Sequence, residues 1–294
     1  FFPSVSAGWR IPEEPFFKDS ALSIINQLKI RASYGVLGDD NSMNYEWISG
    51  YTFRGGETAG DGKGWHQGYA PGYMFNGNFV YSVDPSSLPN QNITWLRSTT
   101  FNIGADFEAW RGKLGASFDY FQRIRRGIFS RNSVGLPTIV GASAPYENLD
   151  SDSHLGLELE LYHKNKVGEF SYEVKTMMSV TRQKHLVASQ NGGYGNSYDK
   201  WRHDNLNNRY QGVQFGYEAA GRYESWEDIW SYDIYKENNL LPGDYKYLDW
   251  NGDGEINGYD AHPIAFDQTP WMNYSLSFSL AWKGLDFSML WQGS

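Results

Sequence analysis

The stretch TTFNIGADFEAWRGKLGASFDYFQR, residues 99–123, decides the class of fold. Its first half alternates apolar and polar side chains, with Phe101, Ile103 and Ala105 on one row and Asn102 and Asp106 on the other. The same alternation resumes immediately after the two-residue connection RG. A period of two is typical of a strand with one apolar and one polar face. The stretch therefore predicts two antiparallel strands joined by a tight turn.

The same alternation recurs along most of the chain. It is clear in QLKIRASYG (27–35), HLGLELELY (154–162), FSYEVKTMMSV (170–180), YSLSFSLAW (274–282) and LDFSMLWQG (285–293). It is weaker in FPSVSAGW (2–9), YEWISGYTF (45–53), NFVYSV (78–83) and YQGVQFGYEA (210–219). The clear segments have about the 9–11 residues that a tilted strand needs to cross a bilayer. The sequence therefore predicts an all-β protein built from long antiparallel strands.

The connections fall into two sizes. The short ones are RG after Trp110, KNKVGE (164–169) before Phe170 and KG after Trp282, whereas long ones run from Val36 to Arg97 and across residues 183–272. Short turns at one end and long loops at the other are typical of an outer-membrane β-barrel. We therefore predict an antiparallel transmembrane β-barrel with short periplasmic turns and long extracellular loops, of which 183–272 is the largest. A soluble β-sandwich or propeller also alternates, and it stays open as the competing fold.

Composition excludes several classes of function. The net charge of −9 argues against nucleic acid as a partner, because phosphate backbones need clustered Lys and Arg. The absence of Cys excludes disulfides, thiol catalysis and cysteine-ligated metals. The chain has no run of about 18 apolar residues, so a transmembrane helix is not expected. It starts at Phe1 without Met, and we expect it to be a piece of a longer protein.

Five stretches resemble the SusC-like (SusC/RagA) family of TonB-dependent outer-membrane transporters of Bacteroidetes. They are FFPSVSAGWRIPEEPF (1–16), LKIRASYGVLGDD (28–40), residues 88–123, SHLGLELELY (153–162) and LPGDYKYLDWNGDGEIN (241–257). The resemblance implies a plugged barrel of about 22 strands, of which residues 1–294 form a partial barrel domain without the plug and the final strands. It also implies a bacterial outer-membrane location, a SusD-like lipoprotein partner, and TonB contact through a part absent from this sequence.

The segment DWNGDGEINGYD, residues 249–260, has the spacing of a calcium-binding loop. Asp249, Asn251 and Asp253 take its first, third and fifth positions, Glu255 offers a backbone carbonyl at the seventh, and Asp260 ends the loop. Hard oxygen ligands in this order favour a structural calcium ion. An acidic turn that satisfies its own backbone without an ion is the alternative.

Aromatic residues in the predicted long loops are candidate substrate contacts. They are Trp65, Tyr69, Trp201, Trp226 and Trp230. Aromatic rings beside polar groups can stack on sugars and bond their hydroxyls, although such loops also pack on themselves or on a partner protein.

Two glutamates of one predicted strand form a candidate catalytic pair. Glu158 and Glu160 share one face of a strand at a separation that inverting glycosidases use, yet polar residues alternate in this way throughout a barrel interior. We therefore predict that the protein is not an enzyme. The resemblance to the SusC-like family implies that it imports glycans or peptides through the outer membrane. A secreted β-fold carbohydrate-binding protein or glycoside hydrolase with a structural calcium loop is the alternative.

Overall fold

The computed structural model describes residues 1–18, 24–40, 45–53, 72–81, 83–85, 88–131, 136–140, 142, 144–189, 197–232, 239–265 and 269–294. Its dominant element is an eight-stranded antiparallel sheet. Strands in chain order are β1 (Ser4–Arg10), β2 (Ile25–Asp39), β3 (Tyr51–Phe53), β4 (Gly72–Phe75), β5 (Asn78–Tyr81), β6 (Val83–Pro85), β7 (Leu96–Ala109), β8 (Leu114–Arg131), β9 (Tyr146–Val167), β10 (Phe170–Val187), β11 (Gln214–Gly216), β12 (Ala219–Arg222), β13 (Tyr245–Tyr247), β14 (His262–Ala265), β15 (Met272–Trp282) and β16 (Leu285–Gly293).

The large sheet follows the chain as a meander. Its order is β1-β2-β7-β8-β9-β10-β15-β16, so each strand pairs with the next strand of the set. The register places Asp106 opposite Lys29 and Ser117, and Glu158 opposite Asp119 and Ser179. Because opposite residues of an antiparallel pair share a face, the polar rows of all these strands form one continuous polar face.

Tight turns close one end of the sheet. Residues 110–113 join β7 to β8, Gly168 and Glu169 join β9 to β10, and Lys283 and Gly284 join β15 to β16. Lys283 has φ of 48° and Gly284 has φ of 82°, the backbone that a two-residue hairpin turn requires. The predicted short turns are therefore present, but the connection before Phe170 is two residues long because β9 continues to Val167.

The long connections lie at the opposite end and carry the small elements. The pairs β3–β6, β4–β5, β11–β14 and β12–β13 are separate two-stranded sheets. Helix α1 (Pro15–Lys18) and the 3-10 helix Ile11–Glu13 are exceptions, because they lie between β1 and β2 at the same end as the tight turns. Helices α2 (Tyr198–Asp204) and α3 (Trp226–Ser231) and the 3-10 helices Thr138–Val140 and Gly258–Asp260 belong to the long connections. The predicted loop at 183–272 begins later than expected, because β10 runs to Val187, and β15 already includes Met272.

Candidate functional site

The two faces of the large sheet differ in chemistry. The apolar face is exposed rather than covered by other described residues: Ile30 is 40% exposed, Phe118 43% and Trp291 59%. The polar face carries Arg31, Asp119 and their neighbours in the same rows. A sheet with a long exposed apolar face and a charged opposite face is suited to lipid on one side and water on the other.

Arg31 connects three strands of the polar face. Its Nη1 and Nη2 donate to the Asp119 carboxylate on β8 at 2.6 and 2.5 Å, and its Nε donates to Asp106 on β7 at 3.1 Å. Ser117 Oγ also donates to Asp106, at 2.9 Å. Bidentate arginine–carboxylate pairs are among the strongest and most directional charged hydrogen bonds. The cluster therefore fixes side chains on the polar face and surrounds one cation with two carboxylates.

A glycine makes room for this arrangement. Asp119 lies two strands from Arg31, with Gly104 of β7 between them. A Cβ added at Gly104 would lie 2.7 Å from Arg31 Cζ and 2.7 Å from Asp119 Oδ1. The Arg31 side chain therefore lies flat along the sheet instead of projecting from it.

A second side chain of the polar face also lies across a glycine of the neighbouring strand. Tyr162 of β9 lies across Gly115 of β8, where an added Cβ would meet its ring at 2.2 Å, and its hydroxyl donates to Glu108 Oε1 of β7 at 2.7 Å. Side chains that lie along the wall leave the space in front of it open. Lys175 of β10 forms a further link, with its Nζ 2.8 Å from Glu160 Oε1.

A buried cluster stabilises the polar face toward its loop end. Asp152 is 3% exposed, and both of its carboxylate oxygens accept from the Arg125 guanidinium, Oδ1 from Nε at 2.8 Å. Gln183 Nε2 donates to Asp152 Oδ2 at 2.9 Å. Three strands are thus joined by one desolvated carboxylate whose hydrogen bonds are satisfied.

The loop that follows α2 docks on the end of β10. The His185 backbone N–H donates to Arg209 O at 2.9 Å, the Gln211 N–H donates to Gln183 O at 2.9 Å, and Arg182 stacks on the Tyr210 ring at 3.7 Å. These contacts attach the long loop region to the sheet.

The predicted aromatic contacts lie on short capped helices. Ser197 caps α2, which carries Trp201, and Ser225 caps α3, which carries Trp226 and Trp230. The Trp226 and Trp230 rings lie 6.3 Å apart, and the side chains are 46% and 72% exposed. The structure therefore presents these two rings together at the surface. Trp201 is 45% exposed and pairs with Tyr198 instead, whereas Trp65 and Tyr69 lie outside the described residues.

A charged contact and ring packing hold α3 in place. Lys246 Nζ of β13 lies 2.8 Å from Asp228 Oδ1 of α3 and 4.5 Å from the centre of the Tyr232 ring. The hydrogen bond to Asp228 raises the pKa of Lys246. Burial raises the pKa of Tyr232. The exposed tryptophan pair is therefore carried on a fixed helix.

The first half of the acidic loop folds around the Asp249 carboxylate. Gly252 and Asp253 donate backbone N–H groups to its Oδ1 at 2.7 and 3.1 Å, and Gly254 donates to its Oδ2 at 2.7 Å. Asn251 Nδ2 donates to Asp253 Oδ2 at 2.9 Å, and the Glu255 N–H donates to Asp253 Oδ1 at 2.9 Å. These bonds, above all the one from Asn251, lower the pKa of Asp253.

Asp260 braces the second half of the loop from inside. It is completely buried, and it accepts the N–H groups of Trp250 at 2.9 Å, Asn251 at 3.4 Å and Asn257 at 2.7 Å. In the described part of the chain, no three His, Asp or Glu side chains are grouped to hold a metal. The loop thus has the self-satisfied arrangement, and the calcium ion stays a prediction.

The acidic loop and α2 pack against each other. Arg202 of α2 lies over the Trp250 ring at 4.5 Å, donates to Tyr259 O, and lies 3.6 Å from Asp199 Oδ1. Trp250 in turn stacks on His262 at 4.8 Å. The acidic loop therefore anchors α2, which carries Trp201.

Comparison with known proteins identifies the fold. A family model described as "TonB dependent receptor-like, beta-barrel" matches residues 1–184. The chain belongs to this TonB-dependent receptor-like β-barrel family. It is 26% identical over 98% of its length to the TonB-dependent receptor SusC of Bacteroides thetaiotaomicron, and 25% identical over its full length to the TonB-dependent receptor P26 of Formosa agariphila. It spans 26% and 28% of these relatives.

Solved structures give the same fold. The RagAB peptide importer in its "open-open" state matches with a TM-score of 0.67 and 19% identity, over 98% of this chain and 28% of that one. The "closed-closed" state matches with a TM-score of 0.65 and 18% identity, over 99% and 29%. The predicted SusC-like resemblance, the antiparallel barrel fold and the outer-membrane location are confirmed.

Membership of the TonB-dependent receptor family assigns the two faces of the sheet. The exposed apolar face contacts lipid, and the polar face with Arg31 and Asp119 lines the interior. The competing soluble β fold is wrong for this chain. In the described part of the chain, no helix is long and apolar enough to span a membrane.

Proposed function

We propose that this chain forms part of the channel wall and outer loops of a TonB-energised outer-membrane importer of glycans. The observation that carries the proposal is the family match over residues 1–184, together with an interior face lined by paired charges and hydroxyls.

The interior face suits neutral, hydrated cargo. The Arg31 cation lies between two carboxylates, Asp106 and Asp119, and the Lys175 cation is paired with Glu160. A neutral sugar chain has no net charge on which such a wall could act, and the charged groups offer hydrogen bonds to its hydroxyls. The side chains that lie over Gly104 and Gly115 run along the sheet, so they do not project into the space in front of it.

The exposed Trp226–Trp230 pair supports glycans as the cargo. Two neighbouring rings on a fixed helix, with Glu227 exposed on the same helix, offer apolar faces near a hydrogen-bonding group. This is the combination that sugar rings require. Peptides are the competing cargo, because the structures of similar fold belong to a peptide importer.

We propose two protein partners by family resemblance. A SusD-like lipoprotein covers the outer mouth of the channel, and TonB supplies energy through a part of the protein that lies outside this sequence. Oligosaccharide is handed from the lipoprotein to loops such as 197–232, and none of the residues named here is catalytic.

The test is uptake in the source bacterium with and without the gene. A deletion strain should lose growth on one or more glycans of a panel while growth on glucose and on mixed peptides is unchanged, and the intact gene should restore it. Co-purification with the product of a neighbouring lipoprotein gene tests the partner. Growth on every glycan without the gene, or loss of growth on peptides alone, would overturn glycan import.

A further inference from the structure

The interior face of the sheet carries an aromatic residue, Trp271, that lies just outside the alternating segment YSLSFSLAW (274–282). The Thr181 backbone N–H donates to Trp271 O at 2.7 Å, one step beyond the pair Val180–Met272. Because opposite residues of an antiparallel pair share a face, Trp271 lies on the polar face with Thr181. Its side chain is 45% exposed.

The row of Trp271 continues across the neighbouring strands to a second ring. Thr181 is opposite Gly156, and Gly156 is opposite Phe121. A Cβ added at Gly156 would lie 2.4 Å from Phe121 Cζ and 3.0 Å from Thr181 Cγ2. The Phe121 ring therefore lies flat over Gly156 and extends toward Thr181. Two aromatic side chains thus flank Thr181 on a face whose adjacent rows are polar.

A small cavity of about 260 Å³ lies beside Trp271. Its lining includes the side chains or backbone of His154, Thr181, Gln183, Gln211, Thr269 and Trp271. Asp152 binds the Gln183 side chain at 2.9 Å, and the Gln211 N–H donates to Gln183 O at 2.9 Å. The cavity is thus built from the strand wall on one side and from the docked loop on the other.

The chemistry of this lining matches one ligand class. It combines an aromatic face with amides, hydroxyls and an imidazole, and no carboxylate is among the described residues that line it. The Arg182 guanidinium, also at the cavity, is stacked on Tyr210 at 3.7 Å. The volume of the cavity is below the roughly 300–1,000 Å³ of sites for drug-sized ligands. This size fits a single sugar ring.

We propose that this cavity is a subsite for one neutral pyranose ring of the imported glycan, with the ring stacked on Trp271. Hydroxyl groups of the sugar bond Thr181 and the amides of Gln183 and Gln211. The proposal rests on glycan import as the function of the protein.

The direct test measures sugar binding by the purified full-length protein that carries this chain. Saturation-transfer NMR is recorded with methyl glycosides of glucose, galactose and mannose, and with glucuronic acid as the charged comparison. At least one neutral glycoside should receive saturation, and Trp271→Ala should weaken its binding about tenfold. Trp271→Phe should retain most of it, and Thr181→Val should weaken it less than Trp271→Ala does.

Trp282→Ala is the matched control, because Trp282 lies on the lipid-facing side of β15, the strand that follows Trp271, and is 52% exposed. It should bind as the unaltered protein does. Heat-modifiable gel migration verifies that each variant is folded. Equal binding by Trp271→Ala and the unaltered protein, binding of glucuronic acid alone, or binding of no neutral glycoside would overturn the subsite.

Uptake of labelled oligosaccharide by whole cells separates this proposal from the proposed function. Glycan uptake by the unaltered protein that Trp271→Ala leaves unchanged would refute the subsite and leave import standing. Uptake of peptides without any uptake of glycans would refute glycan import itself.

Discussion

Arg31 of β2 and Asp119 of β8 form an ion pair with two hydrogen bonds, of 2.5 and 2.6 Å, across the intervening strand β7. The intervening strand contributes Gly104 at the crossing point. The pair therefore binds together strands that share no backbone hydrogen bonds. Since Arg31 is 32% and Asp119 17% exposed at the side chain, the pair is only partly screened by water.

Gly104→Ala should break this pair. The new Cβ would lie 2.7 Å from both Arg31 Cζ and Asp119 Oδ1, so both side-chain ends must leave their present positions. We expect a loss of about 1–2 kcal/mol in the free energy of unfolding, measured by urea unfolding in detergent. Gly35→Ala is the matched control, because its Cβ would meet only Ser4 Cβ at 3.5 Å. Equal unfolding midpoints for the two variants would contradict the prediction.

Replacing Trp226 and Trp230 together by Ala should reduce glycan uptake while leaving stability almost unchanged. The two rings are exposed and contact each other, so little packing is lost. We expect uptake to fall about tenfold, with an unfolding midpoint close to that of the unaltered protein. Trp250→Ala is the comparison, because Trp250 packs on Arg202 and His262 and its loss should disturb the loop itself. Unchanged uptake in the double variant would remove the pair from the proposed site.

The alternation of side chains was sufficient to predict which residues face lipid and which face the interior. It was not sufficient for the ends of the strands. HLGLELELY (154–162) continues as β9 from Tyr146 to Val167, because outside the bilayer both faces of a strand meet water and the apolar row disappears. The polar segment KNKV therefore belongs to the strand.

The long-range contacts of the site could not be read from the sequence. The Arg31–Asp119 pair depends on the register of three strands, and residues 88 positions apart give no local signal. Helices α2 and α3 were also missed, although a local signal was present. Ser197 and Ser225 each accept the backbone N–H three residues later, at 3.1 and 3.2 Å, which is an N-terminal cap.

Asp260→Ala should loosen the acidic loop. Removal of this fully buried carboxylate leaves the N–H groups of Trp250, Asn251 and Asn257 without their acceptor. We expect a local loss of about 2 kcal/mol or more, seen as faster hydrogen exchange across residues 249–260 by mass spectrometry. Glu255→Ala, at an exposed side chain in the same loop, should leave exchange unchanged. Identical exchange in both variants would show that Asp260 does not brace the loop.

Acid should open the same loop through Asp253. Hydrogen bonds from Asn251 and from the Glu255 N–H lower the pKa of Asp253 below its ordinary 3.8. A carboxyl group with a lowered pKa in the folded state stabilises that state above its unfolded pKa and loses this contribution as the pH falls through the folded pKa. Pepsin cleavage within residues 249–260 should therefore accelerate below pH 3.8 relative to Asp253→Asn, which cannot titrate. A constant ratio of the two rates at every acidic pH would contradict this role.

Calcium binding at residues 249–260 is the remaining prediction, and the structure sharpens its test. Asp253 is exposed and Asp249 is half-buried, whereas the buried Asp260 would have to release backbone N–H groups to act as a ligand. We expect weak binding, with a Kd on the order of 10⁻⁴–10⁻³ M, measured by calorimetry on the detergent-solubilised protein. Asp249→Ala should abolish the heat of binding, but Glu255→Ala should preserve it, because only the Glu255 backbone carbonyl is expected to bind. If Asp260 becomes a ligand, calcium should also accelerate hydrogen exchange at Trp250. No heat at millimolar calcium would reject the ion and leave the loop as an acidic turn that satisfies its own backbone.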